Sequence, residues 1–242
     1  MLWPAAAAVS LAIAVGGKDV TLLGLALLAC GTMSGYGLDR YIDRRHLDSP
    51  IIRRGLRWAI LISSIIAFAL ACTAVWRFEV CVVLGVLTGF YVPLKRYIPK
   101  NMLTVPAWTI AVCALPFATA PDWSGQYTAS ALAVALIMLA NTVLCDVPNV
   151  EEDREAKVRA FAARYGAEAG AVFACLAAIF GMVAAIGFDH VGLAVTAACL
   201  IPLAMVLGRN PIQHRARQAV DEVIVYLPGP ITLLVMGWHW LR

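Results

Sequence analysis

The chain has 242 residues, 62% of them apolar and only 14% charged, with a mean hydropathy of +0.80. A water-soluble domain is nearer half apolar and a quarter charged, so one buried core cannot absorb the excess, and lipid must be the solvent for much of the surface. The net charge of +4 is modest; its distribution along the chain is informative, and no nucleic-acid partner is expected from it.

Nine apolar runs follow one another, at about 2–16, 20–38, 56–76, 78–94, 102–120, 128–146, 167–188, 190–208 and 218–240. Spanning a bilayer takes about 20 apolar residues, so the first and fourth runs are short. Non-alternating runs of this length in lipid are helices, because a helix satisfies every backbone group internally. The sequence therefore predicts an all-α, polytopic membrane protein. It has nine transmembrane helices in a single domain over 1–242, joined by short links. The first run lacks the basic leader of a signal peptide and is expected to stay as a short first helix.

Charge alternates between the loops. The loop after the second run carries Arg40, Arg44, Arg45, Arg53, Arg54 and Arg57, and that after the fourth carries Lys95, Arg96 and Lys100. The sixth is followed by Arg154, Lys157, Arg159 and Arg164, and the eighth by Arg209, Arg215 and Arg217. Sixteen of the 19 basic residues thus fall on one side, leaving Lys18, Arg77 and Arg242 for the other. Cytoplasmic loops collect Lys and Arg, so this side is expected to face the cytoplasm as a charged cap, with the cell (inner) membrane as the expected location.

Acidic residues gather on the same side. Asp39 and Asp43 close the second run at a spacing that shares one helix face. Asp146, Asn149 and Asp153 close the sixth at offsets that also follow one stripe, although Pro148 interrupts regular geometry. Like charges so close need a cation, and two acidic faces meeting near a membrane surface suit Mg²⁺ bound to a diphosphate. Mg²⁺ takes one or two carboxylates plus phosphate oxygens, and the neighbouring basic residues would hold phosphate directly. The competing reading is a set of surface ion pairs, each worth about 0–1 kcal/mol. The seven cysteines lie in or beside apolar runs without a CxxC pair, as packing residues do. Asn141 is expected to bond between helices, and Asp221 and Glu222 to pair with Arg217.

These segments resemble those of the UbiA superfamily of intramembrane prenyltransferases. GYGLDRYID at 35–43 is similar to that family's NDxxDxxxD motif and keeps Asp39 and Asp43. DVPNVEEDR at 146–154 is similar to its second Asp-rich motif, with Asn149 a conservative departure. YVPLKR at 91–96 resembles a YxxxK element through Tyr91 and Lys95, and ARYGAE at 163–168 a further segment. Gly35 and Tyr36 replace the pair that opens the first motif, and Ser49-Pro50 stands where the family usually has Arg-Pro.

The resemblance implies a Mg²⁺-dependent enzyme that moves a prenyl group from a polyisoprenyl diphosphate to a hydrophobic, often aromatic, acceptor in the lipid bilayer. It implies Asp39, Asp43, Asp146, Asn149 and Asp153 as metal ligands, with the four aspartates and Lys95 as the catalytic set. Tyr91, Lys95, Arg96, Arg154 and Lys157 would bind the diphosphate, and Tyr36, Tyr41 or Tyr91 would shield the allylic cation. The altered first motif keeps two alternatives open: sugar-phosphate transfer to a polyprenyl phosphate, and a lipid-binding scaffold without catalysis.

Overall fold

The computed structural model describes residues 2–43, 49–94, 97–120, 126–155, 157–211 and 214–240. Lys95 and Arg96 lie outside the described residues. These segments are helical throughout, without a β-strand; the only ladder-like contact among them is an isolated antiparallel bridge between Val20 and Phe117. In chain order the helices are α1 (Leu2–Gly16), α2 (Leu22–Asp43), α3 (Pro50–Ala71), α4 (Val75–Leu94), α5 (Lys100–Ala114) and α6 (Gln126–Asp146). They continue as α7 (Val150–Glu155), α8 (Phe161–Tyr165), α9 (Ala167–Gly187), α10 (Val191–Arg209), α11 (His214–Tyr226) and α12 (Pro228–Trp240). Six stretches among the described residues are long and apolar enough to cross a membrane, and the protein is an integral membrane protein.

The expected count of nine is not the count observed. Ten of these helices have 13 residues or more. The last apolar run is broken between Tyr226 and Pro228, where proline removes a backbone donor and its ring crowds the preceding turn, so one run becomes α11 and α12. The stripe expected from Asp146 to Asp153 is also broken. Pro148 ends α6, a 3₁₀ turn covers Val147–Asn149, and α7 starts afresh. The Ser49-Pro50 departure has a local explanation. Ser49 caps α3 by accepting the Ile52 N–H at 3.4 Å, and Pro50 occupies the first turn, where a missing N–H costs nothing.

Helix α6 is the axis of the assembly, with Ala133, Val134, Ile137, Ala140, Val143 and Leu144 buried. It packs on α5, α9, α10 and α11. Helix α1 is alanine-rich, and its small side chains let it lie close to α2, α5, α11 and α12. Ser10 Oγ accepts the Gly229 N–H at 3.0 Å, across 219 residues of sequence. Apolar stripes at helical spacing stay uncovered, including Leu61, Ile65 and Phe68 on α3 and Val172, Leu176 and Val183 on α9. Such stripes in a chain this apolar are lipid-facing surface.

Consecutive packing of α1 on α2, α2 on α4, α4 on α5, α5 on α6, α6 on α11 and α11 on α1 closes a ring. One end of it is pinched. Gly24 on α2 lies so close to the end of α5 that a Cβ would meet the Pro116 carbonyl at 2.4 Å, and the Thr21 N–H bonds that carbonyl at 2.8 Å. Arg77, only 6% exposed, ties the same end by donating to the Phe117 carbonyl and to Thr21 Oγ1 at 3.2 Å. The acidic segments lie at the opposite end of α2 and α6.

Candidate active site

The site begins with Lys100, the first residue of α5. Its backbone N–H donates to the Arg159 carbonyl at 2.9 Å, and Arg159 Nη1 donates to the Tyr97 carbonyl at 2.9 Å, so the stretches around 97–100 and 157–160 fix each other. From there the ammonium reaches both carboxylates of the second acidic motif. It pairs with Asp146 Oδ1 and, at 3.4 Å, with Asp153 Oδ2. The break at Pro148 thus leaves these two aspartates together on one cation. Burial alone would lower the pKa of Lys100, but the adjacent carboxylates of Asp146 and Asp153 outweigh it and raise the value, so the ammonium stays charged.

Asp146 is 2% exposed, and its second oxygen, Oδ2, is buried without a hydrogen-bond partner. A buried carboxylate oxygen in that state is costly unless a cation or donor reaches it. Beside it Asn101, also buried, donates to Thr142 Oγ1 at 3.0 Å and leaves its own Oδ1 unpartnered.

The first acidic motif faces this cluster across Tyr91, which lies within electrostatic reach of Asp39 on one hand and of Lys100 and Asp146 on the other. Tyr36, one turn from Asp39, is within electrostatic reach of Asp39, Tyr91, Cys145 and Asp221. These residues belong to α2, α4, α6 and α11, so its side chain faces the interior of the ring. Tyr36 is 44% exposed. Asp43 ends α2 at this side of the ring.

Other candidate residues are placed elsewhere. Arg154 Nε donates to the Ala163 carbonyl at 2.8 Å and its Nη1 to Glu151 at 2.9 Å, which pins α7 to α8. Lys157 is an exposed turn residue at φ 55°. Asn149 Nδ2 donates to the Cys145 carbonyl at 2.9 Å and closes the end of α6. Tyr41 is clamped from outside: its hydroxyl accepts from Arg57 Nε at 2.8 Å and Arg53 Nη2 at 3.5 Å, and both guanidinium groups lie over its ring. Asn141 bonds the Val220 carbonyl, between helices as expected. Glu222 accepts from Gln218 Nε2 at 2.6 Å and Asp221 from Cys145 Sγ at 3.5 Å, while the side chain of Arg217, their expected partner, lies outside the described residues.

Sequence reasoning missed the role of Lys100, which looked like one basic loop residue among many. Its signal was position: the first residue of a helix that starts beside the second acidic motif. Asn101 and Cys145 gave no signal of their own.

The described residues thus form a helical membrane bundle pinched at one end, with the two acidic motifs at the other. The chain belongs to the UbiA prenyltransferase family, which it matches over residues 1–227. No curated protein matches the sequence. Among solved structures it is similar to the apo structure of a UbiA homolog from Aeropyrum pernix K1, at 16% identity and a TM-score of 0.71. That match covers 98% of this chain and 99% of the other. It is also similar to a structure of digeranylgeranylglyceryl phosphate synthase in membranes, at 14% identity and a TM-score of 0.59 over 97% and 91% of the two chains. At these identities the two structures speak for the fold.

Proposed function

We propose that this protein transfers a prenyl group from a polyisoprenyl diphosphate to a hydrophobic acceptor, with Mg²⁺ as cofactor, and that the site opens to the cytoplasm. What supports the reading is the pairing of Lys100 with Asp146 and Asp153, with Asp146 Oδ2 buried and lacking a partner and with Tyr91 within electrostatic reach of Asp39 and Asp146. Those oxygens fit the cofactor. Hard carboxylate donors, too few for a full protein cage, are how Mg²⁺ is held when phosphate supplies the remaining ligands. Among the described residues no group of three or more His, Cys, Asp or Glu forms such a cage. Asp146 and Asp153 would hold the ion, joined by Asp39, Asp43 and Asn149 from their positions in the motifs. When bound, it supplies charge neutralisation at the diphosphate oxygens.

The chain's own groups do the rest. Lys100 presents a permanent positive charge where the leaving pyrophosphate gains negative charge, a preorganised interaction that strengthens toward the transition state. Tyr91 stands between the two motifs and separates their carboxylates. Lys95 and Arg96, which follow the end of α4, are assigned to the diphosphate through the YxxxK element. Arg154 and Lys157 belong to the rim and meet the diphosphate only if Arg154 gives up Glu151. The apolar ring excludes water from the allylic carbon.

The test is pyrophosphate release by the purified protein in nanodiscs, with Mg²⁺ and radiolabelled allylic diphosphates of increasing length, in the presence of a lipid extract as acceptor source. Release that Asp39→Asn and Asp146→Asn each abolish, with labelled lipid product, supports the proposal. Tight diphosphate binding without release across the whole length series refutes it in favour of a lipid-binding scaffold.

A further inference from the structure

We infer that Tyr36, backed by Trp108, forms the aromatic wall that stabilises the allylic cation, a job taken up at the position where the first motif would otherwise carry an acid. The inference rests on the prenyl-transfer reading above and names a catalytic residue within it.

Three tyrosines border the acidic end, and the structure separates them. Tyr41 already carries two guanidinium groups over its ring, at 5.3 Å and 5.4 Å, so its π-face is engaged by fixed cations. The Tyr91 hydroxyl is bonded to Thr104, which holds the ring between Asp39 and Lys100, at the level of the head group. Tyr36 has neither restraint. Its ring meets Trp108 of α5 edge to face, with centroids 6.2 Å apart at 78°, and it stays 44% exposed. It lies within electrostatic reach of residues on α4, α6 and α11, so part of its surface is free on the side of the ring those helices line.

Depth supports the assignment. Tyr36 lies three residues before Asp39, about 4.5 Å deeper along α2 at 1.5 Å per residue. The reacting carbon of an allylic diphosphate is one bond from the bridging oxygen. A head group held at Asp39 and Lys100 therefore brings that carbon to the level of Tyr36. In the ionisation step the C–O bond breaks heterolytically, the electron pair leaves with pyrophosphate, and positive charge spreads over two allylic carbons; no proton moves. An aromatic face within about 6 Å attracts such a charge through its quadrupole, more strongly once water is excluded. A carboxylate at the same position would instead risk capturing the cation as an ester.

The experiment replaces Tyr36 with phenylalanine, with a series of progressively fluorinated phenylalanines, and with leucine, and measures pyrophosphate release from geranylgeranyl diphosphate in nanodiscs. Fluorination drains the π-face while barely changing shape, so a purely structural residue would not respond. Tyr36→Phe is expected to stay near wild type, the fluorinated series to fall steadily, and Tyr36→Leu to lose about three- to thirty-fold. As a readout free of turnover, a protonated tertiary prenyl amine, added with inorganic pyrophosphate and Mg²⁺, should bind Tyr36→Leu more weakly by a similar factor. A flat fluorination series in active protein, or equal amine binding by the Phe and Leu variants, overturns this inference alone. Wild-type protein that releases no pyrophosphate overturns the prenyl-transfer reading and this one together.

Discussion

Replacing Lys100 with methionine keeps the length of the side chain and deletes its charge. In the native protein that charge pairs with Oδ1 of Asp146, a residue only 2% exposed, whose other oxygen has no partner. Breaking a buried pair by removing one member leaves an uncompensated charge and costs about 3–5 kcal/mol. The second contact, to the more accessible Asp153 at 3.4 Å, adds little, in line with the roughly 0–1 kcal/mol of partly solvated pairs. A loss near 4 kcal/mol lowers the melting temperature of a chain this size by roughly 8–16 °C. Thermal unfolding in detergent, followed by a thiol-reactive dye that reaches buried Cys113 as the bundle opens, reads this directly. Adding Asp146→Asn to the variant removes the stranded charge and should restore most of the loss, a coupling that a double-mutant cycle isolates. Mg²⁺ should also stabilise Lys100→Met more than wild type, by up to ~2.7 kcal/mol at a hundredfold excess over its Kd. A variant that melts with the wild type, or one that Asp146→Asn fails to rescue, refutes the view that Lys100 neutralises a stranded carboxylate.

The pinched end offers further tests. Gly24→Ala places a methyl group 2.4 Å from the Pro116 carbonyl oxygen, which as backbone cannot swing aside, so α2 and α5 must part; a loss of about 1–3 kcal/mol is expected in the same unfolding assay. Arg77→Met removes the bonds to Phe117, Thr21 and Thr73 and should cost about 2 kcal/mol, since relief from burying the charge offsets part of the loss. Its activity per folded molecule should equal that of wild type. His190 bonds Ser130 Oγ at 2.6 Å, and burial holds its pKa below the ordinary 6.5. The unfolded chain therefore takes up a proton first, so this contribution is complete above pH 6.5 and declines as pH falls from 6.5 to the lower folded value. Melting curves across pH 7.5 to 5 should show a smaller acid-side drop for His190→Gln than for wild type, and equal drops would refute the assignment.

The sequence made the bundle legible because lipid leaves few choices: long apolar runs must be helices, and each run marks one. The ninth run misled because hydropathy does not register backbone hydrogen bonding, and Leu, Pro and Gly at 227–229 keep the run apolar while Pro228 divides it. The two acidic motifs were visible as spacing, and Pro148 as an interruption, but not the path the chain takes after it. The actual turn sends Asn149 back to the Cys145 carbonyl and leaves Asp146 and Asp153 to share Lys100. Arg154 follows the second motif in sequence but is held on Glu151 and Ala163 because α8 folds back beside α7. Tyr36 is one of three tyrosines that the resemblance offers to the allylic cation, and its edge-to-face contact with Trp108 sets it apart from the other two.

Charge balance connects these features. Asp146 and Asp153 share Lys100, so two carboxylates face one ammonium. Complete neutralisation by protein cations would give a structural ion-pair cluster, stable and inert. Complete absence of a cation would make a carboxylate as buried as Asp146 too costly to keep ionised. Lys100 sits between these limits. It compensates Asp146 Oδ1 well enough for the bundle to fold, and leaves Oδ2 unmet. A site in that state favours a divalent cation over water or a further lysine, and it favours the cation most when phosphate oxygens arrive with it. Loss of the acid at position 36 shifts this balance by one charge without abolishing it. The altered first motif therefore weakens metal affinity before it removes the capacity for catalysis, and raising the Mg²⁺ concentration in the pyrophosphate-release assay should recover rate until the site saturates.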